Sequence, residues 1–144
     1  MKVADTINIE HICNATLEQV WNAWTQPALV LQWFGSDPNG KGVYVNLNVR
    51  PGGSFKVTFQ NSDGEEHTCS GIYKDVQLFN KLSFTWSWMN EPGVESFVTV
   101  LLSSLDQQKT LMKFEHAHVG FTSAHNYFKG WNDTFLKLDR VLLQ

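Results

Sequence analysis

Arginine occurs only twice in the 144 residues, at Arg50 and Arg140, and the formal net charge is only -3. So weak a field gives no basis for a nucleic-acid partner. Cysteine is equally scarce: Cys13 and Cys69 lie far apart, form no short metal-binding pair and build no disulfide framework. No apolar run reaches membrane-spanning length, and no cationic, apolar leader stands before the first strand-like residues. The expectation is a soluble cytoplasmic protein without membrane insertion. Also missing are a Ser-His-Asp order, a phosphate loop, a zinc signature and a dinucleotide fingerprint, so no cofactor is expected. What the chain has in excess is aromatic surface, with Trp 6 and Phe 10. That is more ring area than the routine core of one domain needs, and part of it is expected to line a cavity.

The rings follow two periods. From Thr122 to Leu142, Phe121, Ala124, Phe128, Trp131, Phe135, Leu138 and Leu142 recur at spacings of three and four. This predicts an amphipathic helix with an aromatic face, capped by Thr122 or Ser123. Before it the period is two. Thr6 to Cys13 reads as a strand, and Val43 to Val49, Phe55 to Phe59, Glu65 to Val76, Leu82 to Trp88, Val94 to Leu102 and Thr110 to Ala117 read as six more. Pro51-Gly52-Gly53 and Asn61-Ser62-Asp63-Gly64 supply turns between them. After the first strand, Thr16-Leu17-Glu18-Gln19 forms a capping-box pattern, and Pro27 suits the first turn of a second short helix through Trp33. The expected architecture is α+β: a seven-stranded curved antiparallel sheet wrapped around a long C-terminal helix, with two short helices after the first strand. Gly53 and Gly71 would assist its curvature.

Several stretches resemble the Hsp90 ATPase activator homologue family of the START-like, or helix-grip, superfamily, which includes polyketide cyclase/dehydrase and lipid-transport proteins. They are Ala15 to Pro27 with Leu31-Gln32-Trp33-Phe34, Pro51-Gly52-Gly53-Ser54-Phe55, Gly71-Ile72-Tyr73, Leu82-Ser83-Phe84-Thr85-Trp86, Thr110 to His116, and His125 through Gly130-Trp131 with Leu136 and Leu138. The resemblance covers almost the whole chain. It implies a single helix-grip domain over residues 1–144 that surrounds an apolar ligand with sheet and helix. The eukaryotic co-chaperone that gives the family its name has a further N-terminal domain, so an Hsp90-like chaperone is not the expected partner, and a co-chaperone-like interaction domain using the outer sheet surface stands as a third reading behind ligand binding and a cyclase- or hydrolase-type enzyme.

The expected ligand is a small hydrophobic or aromatic molecule. The candidate wall is Phe55, Phe59, Tyr73, Phe84, Trp86, Trp88, Met112, Phe114 and His116 from the sheet, facing Phe128, Trp131 and Phe135 from the helix. Core packing is the competing reading of the same rings. A hydrophobic-substrate enzyme would instead draw its polar chemistry from His116, His67, Glu66 or Tyr73. His116 and His118 share a strand face by parity, and with His67, Glu66 or His125 could hold a metal, but the spacing fixes only two ligands and none is expected. A structural role for His116, as a polar latch between last strand and helix, fits the family motif better, with His125 serving similarly. His67 and Cys69 share a face without the approach a catalytic dyad needs. Trp33-Phe34-Gly35 is either the lip of the cavity, with a mobile gate over Gly35 to Gly42, or an apolar patch favouring a weak homodimer.

Overall fold

A computed structural model of the chain describes residues 5–119 and 124–143. The expected cap at Thr122 or Ser123, Phe121, and the side chains of Ala124 and His125 lie outside the described residues. The element order is β1 (Ile7–Cys13), α1 (Leu17–Thr25), α2 (Pro27–Trp33), β2 (Lys41–Leu47), β3 (Ser54–Gln60), β4 (Glu66–Gln77), β5 (Lys81–Trp88), β6 (Ser96–Asp106), β7 (Lys109–Ala117) and α3 (Ala124–Leu142). The strands form one antiparallel sheet in the order β1-β7-β6-β5-β4-β3-β2. From β2 to β7 the chain is a simple meander. The two short helices therefore carry it from one edge of the sheet to the other. No helix among the described residues is long and apolar enough to cross a membrane.

Local chemistry accounts for that crossing. Thr16 Oγ1 accepts from the Gln19 amide at 3.1 Å while Gln19 Oε1 accepts from the Thr16 amide at 2.8 Å, closing the capping box that starts α1. Gln26 ends α1 and precedes Pro27 at the start of α2, where a missing N–H leaves nothing unpaired. The Trp33 indole donates to the Ala23 carbonyl at 2.8 Å and locks the two helices at their corner. Trp24 then points into the concave face of the sheet. Its ring lies within 6.4 Å, centroid to centroid, of Trp33, Phe34, Phe84, Phe114, Trp131 and Phe135, and its N–H reaches Met112 Sδ at 3.3 Å. Trp24 is the ring on which α1, α2, α3 and the sheet converge.

The sheet bends where β4 meets β5. Regular pairing is interrupted between Ser70↔Ser87 and Tyr73↔Phe84, and the Ile72 amide is satisfied by Thr85 Oγ1 at 2.8 Å. At Gly71 a Cβ would stand 1.9 Å from the Thr85 carbonyl oxygen, so only glycine admits this approach. The register itself shifts just beyond, between Tyr73 and Asp75. Together these turn the inner face of β3 to β5 toward α3.

Three expectations are corrected here. β6 runs on to Asp106, past the expected end at Leu102. The strand parity that joined His118 to His116 fails, because β7 ends at Ala117 and His118 takes φ 63°, turning outward to face Asp5. Phe128, expected on the inner face of α3, is 48% exposed. It lies at the margin of the buried stripe near the helix start, whereas Tyr127, Trp131, Thr134 and Leu138 run down the centre.

Candidate functional site

Between α3 and the β3 to β5 end of the sheet lies a cleft of about 340 Å³, open on one side. Phe59, Trp86 and Trp88 form its sheet wall, and Tyr127, Gly130, Trp131 and Thr134 form its helix wall. Phe34, Gly35 and Ser36, following α2, make one lip, with Asn61, His67, Glu91 and Asn126 around the rest of the mouth. The apolar surface is ring surface: Trp86 stands edge-on to Trp88 at 5.3 Å and to Trp131 at 5.2 Å. Such a slot suits a flat apolar molecule.

The sequence-derived wall divides in two. Phe59, Trp86, Trp88 and Trp131 line the cleft. Phe55, Tyr73 and Phe84 sit deeper, around a second void of only about 10 Å³, too small for a ligand. Met112, Phe114 and Phe135 are packed solid in the core under Trp24 and Trp131. Phe128 faces away from the cleft. The reason is that α1, packed on β6 and β7, and α2, packed on β2, fill the rest of the concave face, Trp24 meeting Met112 and Phe84 and Val30 sitting among Leu47, Val57 and Tyr73.

His116 is buried behind this wall and does not line the cleft. The Trp131 indole N–H donates to His116 Nδ1 at 3.0 Å. An indole can only donate, so the proton of the neutral ring is on Nε2, which stands 2.7 Å from Ser96 Oγ. Ser96 in turn donates to the Trp86 carbonyl at 3.3 Å. Burial lowers the pKa of His116 to about 3, keeping the ring neutral. Both nitrogens are occupied, and the residue is the latch between β7 and α3.

The remaining polar candidates separate similarly. His67 reaches the mouth, with Glu65 Oε1 and Asn61 Nδ2 each 3.2 Å from its Nε2. Glu66 is exposed on the opposite strand face, and Tyr73 has its hydroxyl pKa pushed up, by burial first. Cys69 is fully buried, and burial pushes its thiol pKa up as well, so it is no nucleophile. Among the described residues no group of three metal-ligating side chains converges.

Side-chain bonds tie down the lip, the segment that the sequence offered as a mobile gate over Gly35 to Gly42 in one of two readings. Lys137 Nζ donates to the carbonyls of Gly35 at 3.1 Å and Asp37 at 3.0 Å. The Asp37 carboxylate accepts from the Ser62 amide and hydroxyl, both at 2.8 Å, and from the Asn39 amide at 2.9 Å. These bonds, the Ser62 amide foremost, lower its pKa. Trp33 and Phe34 are both buried, Phe34 against the cleft, so these two rings do not form an outer patch.

Tyr127, Thr134 and Asn126 were missed from sequence. Tyr127, Trp131, Thr134 and Leu138 form their own series at spacings of four, three and four, sharing Trp131 and Leu138 with the stripe first read. A polar threonine in that series hid it.

Sheet, crossing helices and enclosed long helix define a helix-grip domain. Residues 14–142 match the family described as Activator of Hsp90 ATPase homolog 1-like protein, and the chain belongs to that family. Among solved structures it is similar to a Chromobacterium violaceum protein at 19% identity and TM-score 0.85, covering 96% of each chain. A family member from Silicibacter pomeroyi superposes at 21% identity and TM-score 0.84, covering 96% of this chain and 97% of that one. A further one, from Aeromonas hydrophila, does so at 21% identity and TM-score 0.79, covering 94% and 90%. None of the curated proteins matches the chain by sequence.

Proposed function

We propose that the protein binds a small, flat, largely apolar molecule in the cleft between α3 and the β3 to β5 end of the sheet. The observation that carries this reading is the partition of the rings. Those of Trp24, Trp33, Phe84, Phe114 and Phe135 fill the core, while Phe59, Trp86, Trp88 and Trp131 border open volume. These four touch one another in a chain yet leave surface on the open cleft, which a domain using its aromatics only for stability would fill. The family resemblance supports a ligand role, but its chaperone-linked name does not carry over, since one fold serves many tasks. The two unpaired, buried thiols, Cys13 and Cys69, suit a reducing compartment, in keeping with the cytoplasm.

An enzyme acting on a hydrophobic substrate is the second reading, and it rests on His67. Its Nε2 contacts Glu65, and the ring stands at the cleft mouth, where a base could reach a bound molecule.

The test uses Gly130. A Cβ built there meets only Ser36 Cβ, at 3.9 Å, so a large side chain can project into the cleft without displacing backbone. Naphthalene-sized aromatic probes are expected to quench tryptophan fluorescence saturably in the parent protein and to lose that effect in Gly130→Phe. Absence of saturable binding by any such probe would defeat the proposal.

A further inference from the structure

The hydroxyl of Tyr127 stands in the helix wall of the cleft, 2.7 Å from Trp88 Nε1. In that bond the tyrosine oxygen must be the acceptor, because an indole nitrogen has no lone pair to offer. The phenolic proton is therefore not used by Trp88. Tyr127 packs against His116 at 4.6 Å, yet both nitrogens of that ring are already engaged by Trp131 and Ser96. No other acceptor is within hydrogen-bonding distance of the Tyr127 hydroxyl among the described residues. Burial is the largest influence on this phenol and, with the nearby Glu91 carboxylate adding to it, raises its pKa despite the indole N–H groups of Trp88 and Trp86, so it keeps its proton at neutral pH.

A second observation points the same way. Trp86 also borders the cleft, and its Nε1 is buried without a hydrogen-bond partner among the described residues. Leaving a buried donor unsatisfied is costly, by about 1–3 kcal/mol. Trp86 Nε1 lies toward the Tyr127 oxygen beside Trp88 without completing a hydrogen bond, so that oxygen is met by indole donors and its own proton is the one left without an acceptor.

The charge of that counterpart follows from the lining. Among the described residues no lysine or arginine borders the cleft, Glu91 stands at its mouth, and the buried Lys137 is committed to the carbonyls of Gly35 and Asp37. A carboxylate brought in would lose its water and meet no positive charge. A neutral oxygen has no such penalty.

We propose that the molecule bound in this cleft is a planar aromatic compound bearing an uncharged carbonyl, such as an aryl ketone, quinone or lactone, whose oxygen accepts from the Tyr127 hydroxyl. This rests on the cleft reading above and gives it a substrate class.

Three probes of one shape separate the two claims: fluorene, 9-fluorenone and fluorene-9-carboxylate. With the parent protein, bound fluorenone should show a carbonyl stretch displaced to lower frequency from its position in an alkane. Tyr127→Phe should return it toward the alkane value and reduce the affinity of fluorenone relative to fluorene about three- to tenfold, the effect of one neutral hydrogen bond. The carboxylate should bind weakest. If fluorene and fluorenone both bind but the carbonyl frequency of the bound ketone matches that in alkane, the carbonyl proposal falls and the cleft reading survives. Preferred binding of the carboxylate would overturn the requirement for a neutral oxygen. Failure of all three probes would remove both claims. The infrared measurement on the parent protein decides the matter even if Tyr127→Phe does not fold.

Discussion

Trp131 donates its indole N–H to Nδ1 of His116 at 3.0 Å, and this one contact fixes the tautomer of a wholly buried imidazole and joins the long helix to the last strand. A consequence is a pH dependence of defined sign. The folded-state pKa of His116 lies at about 3, below the ordinary 6.5. The neutral ring's contribution is fully present above 6.5 and is lost as pH falls toward about 3, because the unfolded chain takes up a proton that the folded chain refuses. The slope is at most about 1.4 kcal/mol per pH unit. Urea midpoints at pH 7, 6, 5 and 4 should fall more steeply for the parent than for His116→Gln. Parallel curves would show that His116 does not titrate in this way.

Trp131 and Phe128 are three residues apart on one helix and differ sharply in burial, at 5% and 48% exposed. Trp131→Ala should cost about 3–5 kcal/mol in chemical denaturation. Phe128→Ala should change stability by no more than about 0.5 kcal/mol. Comparable losses for the two would contradict the rotation of α3 described above.

At Gly71 an added Cβ meets a backbone carbonyl rather than a yielding side chain. Gly71→Ala is therefore expected to destabilise by about 1–3 kcal/mol through displaced backbone. By contrast, Gly130→Ala adds a methyl in ordinary contact and favours the helix, so it should stabilise by up to about 1 kcal/mol. Thermal melts of the two variants should move in opposite directions.

Lys137 is nearly buried and holds the lip through two carbonyls. Lys137→Met removes the donor and leaves those oxygens without it. We expect a loss of about 1–3 kcal/mol and faster amide exchange across Gly35 to Gly40. Unchanged exchange there would mean that the Asp37 to Ser62 bonds suffice to hold the loop.

Much of the fold was legible because it rests on local causes. The Thr16 to Gln19 capping box, Pro27 at a helix start, and the alternation of Leu82, Phe84, Trp86 and Trp88 each act within a few residues, so the sequence by itself determined the helices, the strands and their order. It also marked Phe59, Trp86, Trp88 and Trp131 as rings on the inner face. Whether a ring on that face met another ring or open space was decided only by the tertiary structure. Trp24 and Trp33 swing in from helices far from β5 in the chain and close the core around Phe114 and Phe135, and no periodicity encodes how far they reach. The rotation of α3 was likewise set by packing: two stripes shared Trp131 and Leu138, and the Trp131 to His116 and Trp88 to Tyr127 hydrogen bonds accompany the one that brings Tyr127 to the cleft. Period and turn chemistry act between near neighbours, whereas a cavity is what remains when distant side chains have finished packing.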